Sequence, residues 1–102
     1  MIFNTKHKQE IKQELTACLA NDTEITRIVV FGSFNQSDAP ADMDVAIFQT
    51  SEQPYIPLAL KYRRQTRSIA RRIPLDIIPV RANASGGPLL AEINKGETIY
   101  ER

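Results

Sequence analysis

Three aspartates stand where an apolar chain is least able to carry them. Asp42 and Asp44 open the run Val45-Ala46-Ile47-Phe48, and Asp76 lies inside a second run from Ile73 to Val80. Carboxylates beside such neighbours are costly to bury unless something pairs with them. Residues i and i+2 of a strand project from one face, about 6.5–7 Å apart along the chain. That spacing lets Asp42 and Asp44 converge on one or two hard cations. With a third carboxylate delivered from a neighbouring strand, the arrangement fits a Mg²⁺ site for phosphate chemistry. Two blander readings compete. Asp42 and Asp44 can cap a strand start as solvated carboxylates, and Asp76 can form a structural ion pair with Arg72 or Arg81.

Length and composition narrow the class. A chain of 102 residues has room for one domain, and 42% hydrophobic with 25% charged residues is ordinary for a soluble globular protein. The net charge of +1 does not argue for a nucleic-acid partner. One cysteine excludes an internal disulfide framework, and one histidine with one cysteine cannot build a structural zinc site. No apolar stretch approaches the ~20 residues of a membrane span, and Met1 to Lys12 holds no signal-peptide core. The expectation is a cytoplasmic protein, with residues 1–102 forming one domain.

Periodicity supplies the order of elements. From Thr5 to about Ala20, Ile11, Leu15, Cys18 and Leu19 recur at helical spacing, with Thr5 as the N-cap. Ile25 to Phe31 is β-branched and reads as a buried strand ending at Gly32. Phe34 to Ala41 is a polar connection, Asp42 to Gln49 the second strand, and Thr50 to Pro57 a loop. Leu58 to about Arg72 reads as a helix with Leu58, Tyr62, Ile69 and Ala70 inward, followed by a third strand from Leu75 to Val80. Pro88 starts a last helix that buries Leu89, Leu90 and Ile93 and stops before Gly96. Thr98-Ile99-Tyr100 is a short tail, and Tyr100 has two places open to it, on the sheet or against a partner. The order αβ(α)βαβα predicts an α/β (α+β) fold: a small mixed sheet of three or more strands with helices mainly on one face.

Gly32-Ser33 directly after a buried strand is a weak motif alone, although glycine admits close backbone approach and the serine adds a donor. Its value comes from the residues downstream of it. Val29-Val30-Phe31-Gly32-Ser33, then Ala41-Asp42-Met43-Asp44-Val45, then Leu75-Asp76-Ile77 together resemble the nucleotidyltransferase superfamily built on the DNA polymerase β-type palm. Within it the chain is most similar to the minimal nucleotidyltransferase (MNT) group, and the ending from Leu90 through Gly96 to Ile99-Tyr100 looks like the close of a minimal member.

The resemblance implies a palm-like fold and a two-metal transferase. Asp42, Asp44 and Asp76 would bind Mg²⁺ and carry catalysis, Asp76 would help remove the acceptor proton, and Gly32 and Ser33 would hold the nucleotide phosphates. The substrate would be ATP or another nucleoside triphosphate. The loop departs from the family pattern: Phe34 to Pro40 lacks the usual arginine and glycine, Asp38 adds negative charge, and Ala41 replaces a serine. Minimal members resemble the antitoxin half of MNT/HEPN pairs, and the chain shows no acceptor-recognition domain. That implies a helical HEPN-type toxin as both partner and substrate. The alternative is an inactive antitoxin that neutralises its partner by binding alone. Self-association is left open, and a membrane role is not expected.

Lys61, Arg63, Arg64, Arg67, Arg71 and Arg72 crowd the helix before the third strand, with Arg63, Arg67 and Arg71 four apart on one face. Three readings stay open: a solvated face, a surface for an acidic partner, or contacts to nucleotide or RNA phosphates. The last has no aromatic platform beside it.

Overall fold

The computed structural model describes residues 2–102. Its elements are α1 (Thr5–Leu19), β1 (Ile25–Phe31), a 3-10 turn (Gly32–Asn35), β2 (Met43–Gln49), α2 (Tyr55–Gln65), α3 (Arg67–Ala70), β3 (Leu75–Arg81), α4 (Pro88–Asn94) and β4 (Glu97–Glu101). The strands form one mixed sheet in the order β3-β2-β1-β4. β1 is antiparallel to β2 and β4, and β2 is parallel to β3. Parallel neighbours need a crossover, which α2 and α3 provide.

Strand alternation divides the apolar residues into two cores. On one face, Ile28 and Val30 of β1 and Val45 and Ile47 of β2 pack against Ile11, Leu15 and Leu19 of α1 and Leu58 and Tyr62 of α2. On the other, Val29, Phe31, Ala46, Phe48 and Val80 pack with Ile93 of α4. Helices therefore lie mainly on one face, as the element order predicts. α4 covers part of the second.

Four local expectations need correction. Asn4, not Thr5, caps α1: its Oδ1 accepts from the His7 backbone N–H at 2.8 Å, and Thr5 is the first helical residue. The Leu58–Arg72 helix starts earlier, at Tyr55, because Pro57 falls in the first turn where its missing N–H costs nothing. It also breaks at Thr66, whose Oγ1 donates to the Tyr62 carbonyl at 2.9 Å while its backbone leaves the helical region (φ −111°, ψ 18°). Arg63, Arg67 and Arg71 thus do not line one continuous helix, and Ala70 points to solvent. In α4 the seven residues present one face to the sheet, so Ile93 is buried and Leu89 is exposed.

The tail is the fourth strand. Ile28 pairs with Tyr100 and Val30 with Glu97, giving β1 a hydrogen-bonding partner on the side that β2 does not reach. Tyr100 accordingly packs half-buried against the larger core. Among the described residues, no helix is long and apolar enough to cross a membrane.

Candidate active site

The site grows from strand register. In the parallel pair Asp44 lies directly opposite Asp76, and in the antiparallel pair it lies opposite Phe31, the last residue of β1. Asp44 alternates with Met43 and Val45, which face the larger core, so it projects from the α4 side of the sheet. Asp42 stands one residue before β2, although the residue pattern predicts it as the first residue of that strand. The three carboxylates each bring an oxygen within 4.8 Å of the others, with Asp42 and Asp44 half-buried and Asp76 exposed.

Gly32 sits against this cluster. Its φ of 74° is left-handed, and a Cβ there would overlap the Asp44 carboxylate. Two requirements, backbone conformation and close approach, thus meet at one position. Ser33 is exposed beside it, and its carbonyl closes the turn by accepting from Gln36 N at 3.1 Å and Ser37 N at 2.8 Å. The segment after it is better anchored than a polar connection should be. Phe34 is fully buried, Asn35 Nδ2 donates to the Val30 carbonyl at 2.9 Å, and Lys8 Nζ donates to the Ser37 carbonyl at 2.6 Å.

Among the described residues, no cation pairs with the three carboxylates. The ion pairs among the described residues are Lys12–Glu97, Lys61–Asp22, Arg72–Glu14 and Lys95–Glu92. Arg72 is thus engaged elsewhere, and Arg81 donates to the Ser51 carbonyl at 2.5 Å. The structural ion pair for Asp76 is not made. Desolvation first, then the charges of Asp42 and Asp76 and a hydrogen bond with Asp76, pushes the Asp44 carboxyl above its ordinary value. Oxygens on opposite sides of one Mg²⁺ are about 4.2 Å apart. A spread of 4.8 Å over three carboxylates therefore fits one or two such ions with small side-chain adjustments.

Sequence reasoning missed a hollow beside the Gly32 turn. Asn35, Gln36, Glu92, Lys95 and Gly96 join Gly32 around a hollow of about 140 Å³. Lys95 brings a basic group to the turn whose own loop lacks one, and it is held only by Glu92 at 3.2 Å. Gly96, legible as a helix stop, has a second duty: a Cβ there would lie 2.5 Å from the Val30 carbonyl oxygen and 2.6 Å from Phe31 Cβ. Close packing at Gly96 is what sets the end of α4 beside Gly32. Nothing local in the sequence announces a contact across some sixty residues.

The family model described as polymerase beta, nucleotidyltransferase, matches residues 13–102. The chain belongs to that family. It is a nucleotidyltransferase, and such enzymes use a nucleoside triphosphate and a divalent metal. No functionally curated protein matches the sequence. Among solved structures, the fold is similar to a complex of a tri-AMPylated HEPN toxin from Shewanella oneidensis with its MNT antitoxin (TM-score 0.68, 15% identity, 93% of this chain and 73% of that chain). It is also similar to the toxin–antitoxin pair MntA–HepT (TM-score 0.66, 14% identity, 92% and 73%). A mutant form of such a pair gives TM-score 0.66 at 15% identity, over 89% and 73%. At these identities the likeness establishes the palm-like fold.

Proposed function

We propose that this nucleotidyltransferase moves AMP from ATP onto a hydroxyl of a helical HEPN-type partner and acts as its antitoxin. The observation that carries the reading is the convergence of Asp42, Asp44 and Asp76, unpaired, against the Gly32 turn. Asp42 and Asp44 are the primary Mg²⁺ ligands, and Asp76 completes the set at the exposed edge, where it receives the acceptor proton. When bound, Mg²⁺ supplies charge neutralisation on the triphosphate and a lowered pKa for the attacking hydroxyl. Gly32 and Ser33 hold the terminal phosphates, with Lys95 supplying the positive charge missing from their loop. The acceptor oxygen bonds to the α-phosphorus as the bond to the β-phosphate oxygen breaks, and pyrophosphate leaves.

Support for the partner comes from the structural neighbours, described as MNT–HEPN and MntA–HepT complexes, one with an AMPylated toxin. Residues 1–102 act as one minimal domain in this reading, in the cytoplasm. The test is incubation with Mg²⁺, labelled ATP and a HEPN-type partner. Label should appear on the partner and fall at least ~10³-fold with Asp42→Asn or Asp44→Asn. Normal transfer by both variants would end the assignment. Absent transfer, together with full neutralisation by the double variant, would point to an antitoxin that works by binding.

A further inference from the structure

The segment from Tyr55 to Arg72 carries six of the 13 basic residues of the chain and none of its 12 acidic ones. Two of the six are matched from α1 and the turn after it: Lys61 lies 3.0 Å from Asp22 and Arg72 lies 2.5 Å from Glu14. The other four, Arg63, Arg64, Arg67 and Arg71, are exposed, and none is in an ion pair with a described residue. Three of them share a groove of about 580 Å³ with Leu60, Ala70 and Leu75. Leu60 is 47% exposed, and Ile56, one turn earlier on α2, is 68% exposed. Positions 56, 60 and 63 lie along one side of α2, turned away from the buried Leu58 and Tyr62, with the buried Ala59 at the border between the two.

A merely solvated charged face has no need of an exposed isoleucine and leucine in its middle. Apolar centre with unpaired arginines around it is the composition of a protein-binding patch, where arginine is enriched and guanidinium–carboxylate pairs set the partner. Phosphate backbones would use the arginines and leave Ile56, Leu60 and Leu75 idle, and no aromatic ring lines the groove for a base to stack on. An amphipathic helix with acidic flanks uses both kinds of group. Its apolar stripe fills the groove, and its carboxylates meet the three guanidiniums.

We propose that the α2–α3 face, centred on Ile56, Leu60, Arg63, Arg64 and Arg67, is a docking surface for an acidic amphipathic helix of a protein partner. Leu75, which lines the groove, immediately precedes Asp76 on the edge strand β3. A partner seated here therefore lies along the sheet edge that carries the third carboxylate. Its use in presenting an acceptor hydroxyl rests on the proposed transferase activity; the docking itself does not.

The test is a nuclear magnetic resonance titration of the isotope-labelled chain, without nucleotide or metal. The probes are a synthetic helical peptide with a leucine stripe flanked by glutamates, the same peptide with lysines for glutamates, and an oligouridylate. The acidic peptide should shift the amides of Leu60, Arg63, Arg64, Arg67 and Leu75. Its affinity should fall at least about tenfold in Arg63→Glu/Arg67→Glu and in Leu60→Asp, and weaken with added salt. Shifts no larger than those from the lysine peptide, shifts scattered away from the groove, or tighter oligouridylate binding at the same amides would overturn the proposal. Since Asp42, Asp44 and Asp76 take no part in this readout, its failure leaves AMP transfer standing, and failed transfer leaves the docking result standing.

Discussion

The two faces of the sheet are built on opposite rules. On the side of α1 and α2, Ile11, Leu15, Ile28, Val30, Val45 and Ile47 are all fully buried. Each position there lowers the free energy of the fold by leaving water. On the α4 side the same strands carry Val29, Ala46 and Phe48 for part of their length and then end in Phe31, Asp44 and Asp76. That end gathers three like charges with no ion-pair partner among the described residues, and the fold tolerates the repulsion because the opposite face is well packed. Adjacent residues of one strand, Asp44 and Val45, thus answer to different pressures: in the proposed transferase one serves ligand chemistry, while the other serves stability.

The contrast is most sharply tested in the core. Ile47→Ala, in the central strand, should cost about 3 kcal/mol and lower the thermal midpoint by on the order of 12–24 °C. Below that midpoint its nucleotide transfer should be close to normal. Chemical denaturation and activity below the midpoint check both halves, and a folded Ile47→Ala protein that is inactive would break the division of labour.

Gly32→Ala belongs to both faces at once and should have a mixed effect. A left-handed alanine costs about 1–2 kcal/mol, and its Cβ must displace the Asp44 carboxylate. Calorimetric titration should show Mg²⁺ affinity reduced at least about tenfold. Unchanged affinity would mean that Asp44 does not need its present position to hold a metal.

Asp44→Asn gives the smallest change in stability, with a sign opposite to that of a core substitution. In the fold the Asp44 carboxyl titrates above its ordinary value of 3.8 because burial and the neighbouring Asp42 and Asp76 favour its neutral form. A raised folded value means that wild-type stability falls as pH rises through it. Asparagine removes that cost, so the metal-free variant should be modestly more stable at neutral pH, with the gain kept small by solvent screening. The advantage should vanish below pH 3.8, where the carboxyl is neutral in both states. Denaturation of both proteins at neutral and acid pH measures it; a destabilised variant at neutral pH would show that Asp44 holds the fold together.

Much of this was legible in residue order. Runs of β-branched residues placed β1, β2 and β3 within a residue at each end, and the closeness of Asp42 and Asp44 was expected from their spacing, although Asp42 stands just before the strand. Thr98-Ile99-Tyr100 was a different case. Its residues suit a strand, but a strand needs a free edge, and only the assembled sheet shows that β1 has one. The helix break at Thr66 was hidden for a similar reason, since a threonine in a helical run betrays its back-bonding to Tyr62 only once the turn exists.

By itself, then, the sequence determined most of the succession of elements, the two-sided strands and the presence of three carboxylates beside apolar runs. These come from covalent geometry and side-chain alternation, which act over a few residues. The tertiary structure decided the register that sets Asp44 opposite Asp76, the arrival of Lys95 beside Gly32, and the clustering of Leu60, Arg67 and Leu75 in one groove. Those placements depend on which faces bury each other across the whole chain, a choice made by long-range packing that no local pattern encodes.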